Sequence, residues 1–418
     1  MDDVAVAYEH SNNTVPFTST KMNRRKYLIT AAGCASGWFA GCSRAAQLSD
    51  DVTTTSATTS PAQIETSEIP ATFEYPWAIS PLPDGESLLV TEQIGQLSLV
   101  DIQSGEKELI AKTPAVASDG QGGLLDVTID PDFESNSWVY LTYSAANEQR
   151  KTATHLGRGR LNRSRSRLEE FERLYIAGPF LDRAAHYGSR VVFGADHMIY
   201  QTIGDRQFKN FGPEHVAQQL SSELGTVIRL QPDGSIPQSN PFIQTPGAKD
   251  AIYSYGHRNG QGLARHPGTG KIWESEFGEK DGDEINIIRA GENYGWPIAD
   301  NSCRYGTTEH VGDSHESRAD IRNPVVSWPC GSGGFPPSGI CFYTGSRPRD
   351  WGLSLLVAGL ASRYVARFEL GEDEATQQPG LLTERNSRIR DIAQNPEKNE
   401  LYAAVDAQNA PLIRMKFD

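Results

Sequence analysis

Apolar residues along this chain fall into short runs separated by turns, and no long stretch keeps a helical or heptad period. A loose unit recurs from Pro70 onward: a turn carrying Pro, Asp or Gly, a short apolar strand, then a second strand. It is seen in "LPDGESLLVTEQIGQLSLVD" (Leu82–Asp101), "IDPDFESNSWVYLTYS" (Ile129–Ser144) and "VFGADHMIYQTIGDR" (Val192–Arg206). It returns in "RHPGTGKIWESEFGE" (Arg265–Glu279), "RDWGLSLLVAGLASRYVARFEL" (Arg349–Leu370) and "QNPEKNELYAAVDAQNAPLIRMKF" (Gln394–Phe417). Six units over this span leave about 58 residues each, enough for a four-stranded propeller blade of roughly 40–50 residues plus loops. The pattern therefore predicts an all-β fold, a six-bladed β-propeller with four-stranded antiparallel blades. A pair of β-sandwiches is the competing array, and the even spacing disfavours it. In a propeller, function is expected on the loops over the central channel, where residues distant in sequence converge.

Composition agrees with that outline. The 418 residues, 38% of them hydrophobic, can bury a large core, and 39 glycines and 24 prolines suit many turns. A net charge of -14 argues against a nucleic-acid surface, which would present a basic face.

The N-terminus reads as an export segment. "MNRRKYLITAAGCASGWFAGCS" sets Arg24 and Arg25 before an apolar run from Tyr27 to Ala40, too short to span a membrane but suited to a signal h-region. The twin arginines resemble a Tat signal, and "FAGC" resembles a lipoprotein box that would leave a lipidated Cys42. A plain signal cleaved elsewhere is the alternative, and Met22 is a candidate start. The expected organisation is an export signal over 1–42, a Thr/Ser-rich disordered linker over 43–69 and the propeller over 70–418. The protein is expected outside the cytoplasm, in the periplasm or beyond, attached to membrane only through a lipid at Cys42. An exported chain can keep a disulfide. Cys303–Cys330 is the first expectation because both lie in Gly- and Pro-rich loops, although spacing alone does not decide among Cys303, Cys330 and Cys341.

Familiar nucleotide and hydrolase signatures are missing. "GQGGLL" superficially resembles a dinucleotide loop, but "LLDVTIDPDF" after it reads as strand and turn, where a phosphate loop needs a helix N-terminus. No Walker A loop, H-E-x-x-H or G-x-S-x-G occurs. Instead, polar residues are scattered over several units. "HYGSR" supplies His186 and Arg190; "GHRNGQG" supplies His257, Arg258, Asn259 and Gln261. "EFGEKDGDEIN" supplies Glu276, Asp281, Asp283 and Glu284, followed by "ENYGWP"; "NSRIRD" supplies Arg388 and Arg390, which would point the same way on a strand. Taken singly, each has an ordinary structural explanation: a turn histidine, a solvated acidic hairpin, a salt-bridged arginine pair.

Together they resemble the soluble pyrroloquinoline quinone (PQQ)-dependent aldose/glucose dehydrogenase family across nearly all of 70–418. The resemblance is carried, in order, by "PWAISPLPDGESLLVTEQIGQL", "GQGGLLDVTIDPDF", "HYGSRVVF", "ELGTVIRLQPDGSIPQSNPF", "GHRNGQGLARHP", "DGDEINIIRAGENYGWP", "PSGICFYTG" and "RIRDI". It implies PQQ and Ca²⁺ at the channel mouth, a sugar substrate oxidised at its C1 hydroxyl to a lactone, and an external or membrane-linked electron acceptor. It implies His186 as general base and Arg258 as a catalytic cation on the quinone. Gln121, Arg258, Asn259, Arg388 and Arg390 would surround the cofactor, whose carboxylates and quinone suit bidentate guanidinium groups. The carbonyls of Gly278 and Glu279 would hold the cofactor's Ca²⁺, and the Asp283–Glu284 region with the Tyr294 carbonyl a second, structural Ca²⁺. His257 is expected to be a structural neighbour only.

Three positions depart from the family's pattern: Glu279 where Gly-Pro is usual, Ala361 where a lysine is usual, and Ala185 before the histidine. Losing two polar contacts leaves open a non-catalytic propeller that binds glycans or proteins at the same mouth. A metal-dependent lactonase is a third reading, disfavoured because "GHRN" with "RIRD" builds a cationic mouth.

Overall fold

The computed structural model describes residues 64–348, 351–371, 374–395 and 397–417. The export segment, Cys42 and most of the expected linker lie outside them. Six four-stranded antiparallel sheets account for nearly all the regular structure. Their innermost strands are Pro76–Pro81, Leu124–Ile129, Gly188–Phe193, Gly260–Arg265, Pro337–Tyr343 and Ile389–Gln394. Each touches the innermost strands of the sheets before and after it, and the sixth touches the first, so the sheets close into a propeller around a channel. Each recurrent sequence unit carries the second strand of one blade, and three of the six run on through the third, which is why the repeat was visible.

Apolar runs rather than alternation mark these strands because every blade is covered on both faces. Ser87–Glu92 is buried at every position. Leu89 packs with Leu124 and Leu141 of the next blade, while Leu88 and Val90 pack with Ile69, Phe73 and Leu412 of the last. Each fully buried leucine contributes on the order of 2 kcal/mol.

The ring is closed by strand exchange. Ile64–Phe73 pairs antiparallel with Ala410–Phe417, adding the outer strand to a blade whose other three strands come from the C-terminus. The expected boundary at residue 70 cuts through this strand. Its first half, Ile64 to Glu68, is mostly exposed and polar, so no apolar run announced it.

Below the mouth, Arg190 plugs the channel. Its Nε donates to the Gln261 carbonyl (2.7 Å), and its Nη1 lies 3.2 Å from Asp126 and 3.1 Å from Asp391. The guanidinium stacks on Trp77, 4.2 Å from the ring centre. Burial, with Asp391 alongside, pushes Asp126 up to about 6 against the pull of Arg190. One cation thus ties together the inner strands of five blades. No helix among the described residues is long and apolar enough to cross a membrane.

Candidate active site

Two tight turns present the polar residues at the mouth. His186 has φ +47° and hands the chain to Gly188 at φ +67°, where the inner strand of the third blade begins. Gly204 lies beneath this turn: a Cβ there would stand 2.3 Å from the His186 carbonyl oxygen. The His186 backbone N–H donates to Gln121 Oε1 (2.8 Å). Its ring Nδ1 lies 2.7 Å from Asp205 Oδ1. A carboxylate at that distance fixes the proton on Nδ1 and leaves Nε2 as the acceptor. Asp205 is itself anchored, taking hydrogen bonds from Trp296 Nε1 (2.9 Å) and the Gln207 backbone (2.7 Å). Burial, reinforced by the Arg258 charge, holds the His186 pKa below its ordinary value, so the ring is neutral and ready to accept a proton. Burial works against ionising Asp205, but the His186 contact and the Arg258 charge outweigh it and keep the carboxyl below its usual range.

A cavity of about 630 Å³ opens above this dyad, within the size range typical of small-molecule sites. It is lined by His186, Gln121, Arg258, Gly278, Glu279, Asp283, Arg388 and Arg390, with Trp77, Phe277, Tyr305 and Leu360 as apolar wall. The sequence-selected residues from four of the six blades therefore converge. Three do not reach it. Asn259 lies behind the wall, where its Oδ1 accepts from the Gly188 backbone (3.1 Å) and from Gln261 (3.2 Å), and its Nδ2 is buried without a partner. Glu284 and Tyr294 are buried inside the fourth blade.

The mouth is two-sided rather than uniformly cationic. On one side Arg388 and Arg390 share the Asp406 carboxylate, at 2.8 and 3.2 Å, as expected for side chains two apart on one face. On the other, Glu279, Asp281 and Asp283 line the wall. Glu279 is buried but not isolated: its carboxylate is 2.8 Å from Arg258 Nη2 and 2.6 Å from Lys209 Nζ. Gly278 is a position where no side chain fits, since a Cβ would meet the Asp281 carbonyl at 2.0 Å. Among the described residues, neither the Gly278 nor the Glu279 carbonyl accepts a backbone hydrogen bond.

Ala361 lines the cavity where the family pattern has lysine, and Arg363 turns away to the Asn386 carbonyl (3.5 Å), so it supplies no charge there. The opposite rim is a strand pair, Ala299–Cys303 with His310–Gly312, carrying Tyr305. A Cys303–Cys330 disulfide clips it to the loop bearing Gly333 and Gly334, as the sequence suggested. Cys341 is free, and burial pushes its thiol pKa up.

At the place expected for a second cation, Glu284 and Tyr294 are buried and Glu284 Oε1 has no hydrogen-bond partner. Asp283 spends both oxygens on backbone N–H groups, of Gly278 (3.1 Å) and Phe335 (2.8 Å). The Tyr294 carbonyl and Glu284 Oε1 are 3.1 and 3.5 Å from one ring nitrogen of His315. His257 is structural: its Nδ1 lies 3.3 Å from both Glu274 and Glu276, and its Nε2 is 2.9 Å from Ser254 Oγ. Burial opposes charge on it, but the two carboxylates lift its pKa to about 10.

Comparison with known proteins agrees with this geometry. The family model for glucose/sorbosone dehydrogenase matches residues 73–414. The chain belongs to that family. Among glucose/sorbosone dehydrogenase relatives, aldose sugar dehydrogenase YliI of Escherichia coli is 33% identical over 355 residues, covering 85% of this chain and 93% of the relative. The apo crystal structure of the soluble E. coli aldose sugar dehydrogenase superposes with a TM-score of 0.79 at 32% identity, over 85% of this chain and 99% of that one. A PQQ-bound aldose sugar dehydrogenase from Streptomyces coelicolor gives 0.69 at 27% identity, over 86% and 99%.

Asp205, Trp296, Lys209, Asp406 and His315 carry the site without having been singled out from the sequence. Asp205 alone left a local signal, a Gly-Asp pair closing a strand where Gly204 must lack a side chain.

Proposed function

We propose that this glucose/sorbosone dehydrogenase family member is a PQQ- and Ca²⁺-dependent aldose dehydrogenase, oxidising the C1 hydroxyl of a pyranose to a lactone. The observation that carries the reading is His186: a neutral ring, fixed by Asp205 on Nδ1, offering Nε2 at the base of a two-sided cavity. The residues fit the cofactor. Arg388 and Arg390 face one wall and match its carboxylates, Trp77 and Phe277 offer flat apolar surface, and Arg258 Nε is a buried donor with no partner. Oxygen donors suited to a hard cation, the Gly278 and Glu279 carbonyls, lie on the other wall.

When bound, PQQ supplies the hydride acceptor and Ca²⁺ the polarisation of its quinone oxygen. The chain supplies the rest. His186 Nε2 takes the C1 hydroxyl proton as the C1 hydrogen departs as hydride, so the sugar loses two electrons and two protons, one proton to the base and the other with the hydride. Asp205 stabilises the imidazolium that results. Arg258, held by Glu279, would offer positive charge to the acceptor as it takes up electrons. Gln121 keeps the His186 turn in register. The same reading places the protein outside the cytoplasm, tethered by a lipid on Cys42 and passing electrons to an external or membrane-linked acceptor. Loss of membrane attachment in Cys42→Ala, read by cell fractionation, tests the tether.

The enzymatic reading is tested by reconstituting purified protein with PQQ and Ca²⁺ and following dye reduction with a panel of aldoses. Turnover above the cofactor-free protein is expected, and His186→Ala should keep the cofactor's absorbance while losing turnover. No rate with any sugar would sink the enzyme reading and favour a non-catalytic propeller.

A further inference from the structure

We infer that Glu279 is a positioning residue for Arg258 that also cancels half the positive charge which Arg258 and Lys209 bring to the cavity. Bound PQQ is therefore held less tightly than it would be beside a neutral side chain at 279. The inference rests on the reading of the mouth as a PQQ site, and its test separates the two.

Glu279 is 4% exposed and lies in the turn that follows strand Ile272–Glu276 of the fourth blade. Both its oxygens are 2.6 Å from Lys209 Nζ, and Oε2 is also 2.8 Å from Arg258 Nη2. Lys209 belongs to the loop leaving strand Ile199–Ile203 of the third blade, and Arg258 to the link between the two blades. Three segments thus meet on one carboxylate. The rest of the Arg258 side chain is fixed as well. Its Nη1 donates to the Phe277 carbonyl (3.3 Å), and the guanidinium lies over Trp296, 5.2 Å from the ring centre. Of its nitrogens only Nε is left, buried and without a partner. Arg258 and Glu279 line the cavity, whereas Lys209, with its side chain 46% exposed, approaches Glu279 from outside it.

A buried carboxylate shared by two cations holds the fold together, because its loss leaves a buried guanidinium uncompensated. It also sets what an anion in the cavity meets. Across the mouth Arg388 and Arg390 share Asp406, so each side pairs two cations with one carboxylate. PQQ carries three carboxylates, and near a desolvated wall each net charge counts for more than it does in water. Neutralising Glu279 raises the net charge of its trio with Arg258 and Lys209, removing the Lys209 ammonium lowers it, and doing both restores it. Arg258 stays in place without Glu279 because the Phe277 carbonyl and Trp296 still hold it. Loss of the carboxylate therefore weakens the fold but strengthens PQQ binding, a combination that a purely packing role does not give.

The test titrates the full chain with PQQ in saturating Ca²⁺, following the cofactor's absorbance, and melts the same chain without cofactor. Glu279→Gln is expected to melt roughly 3–8 °C lower. It is expected to bind PQQ roughly 5–50-fold more tightly. Lys209→Met, at a half-exposed position, is expected to bind it roughly 2–10-fold more weakly, and the double variant to fall within about 3-fold of wild type. The midpoint potential of bound PQQ should move positive in Glu279→Gln and negative in Lys209→Met, since electrons are held better beside greater positive charge. Unchanged or weaker PQQ binding by Glu279→Gln, or a reversed order of potentials, would overturn the inference. Should Glu279→Gln not fold, Lys209→Met decides: an affinity equal to or above that of wild type refutes the inference. No PQQ binding by wild type overturns the cofactor reading and this inference together, whereas binding by wild type with the variants in another order overturns this one alone. None of these readouts depends on turnover.

Discussion

His186, the proposed base, shows how a fold prepares one residue to accept a proton. It occupies a left-handed backbone conformation that few non-glycine residues adopt, under a glycine that cannot carry a Cβ, with a carboxylate on one ring nitrogen. Its depressed pKa, caused by burial and then by Arg258, sets the sign of the pH dependence. The ring must be neutral to accept a proton, so kcat/KM should rise with pH through a value below that of free imidazole and then stay level. Asp205→Asn removes a charge that favours the imidazolium. The acid limb of the pH–rate profile should move lower still, and kcat should fall by roughly 10²–10⁴-fold. An unchanged profile would remove Asp205 from this role. His186, Arg258, Arg388 and Arg390 were legible because their motifs stand in a known order. Asp205 and Lys209 were not, because a carboxylate after a strand and a lysine in a loop look alike whether or not they meet a buried partner.

At the level of elements, the inner strands do two jobs: they bury apolar faces between blades and carry charges into the channel. Arg190 concentrates the second job, compensating Asp126 and Asp391 at once. Arg190→Met leaves two buried carboxylates without their cation and should cost about 3–5 kcal/mol, read from urea denaturation. A loss within 1 kcal/mol would mean the pair behaves like an exposed one. Gly204→Ala should weaken both folding and turnover, since the new Cβ meets backbone at 2.3 Å rather than a movable side chain. Strand runs were easy to find because both blade faces are covered. The closing strand's polar half was hidden for the opposite reason: an outer strand facing solvent has no apolar run.

Across the whole molecule, the fold converts sequence distance into proximity. Ring closure brings Ile64–Phe73 to the C-terminal strand, and the channel brings Gln121, His186, Arg258 and Arg390 to one cavity. The Cys303–Cys330 disulfide stabilises one rim by joining residues 27 apart. Replacing both cysteines by serine should lower stability by about 3 kcal/mol. It should also raise KM for sugar more than it lowers kcat, because Tyr305 and Gly333 lose their common support while His186 does not. Melting curves and steady-state kinetics check both.

The sequence by itself determined the blade number, the all-β class and the arginine pair, put His186 forward as the base only through a resemblance, and offered the right cysteines for a disulfide. Those features depend on local patterns: apolar runs between turns, and short motifs in a fixed order. Only the tertiary structure decided that Asp205 meets His186 Nδ1, that Glu279 is neutralised by Arg258 and Lys209, and that Asn259 stands behind the cavity wall. It alone placed His315 between Glu284 and the Tyr294 carbonyl. Each of these depends on distances between blades, which close packing sets and no stretch of sequence encodes locally.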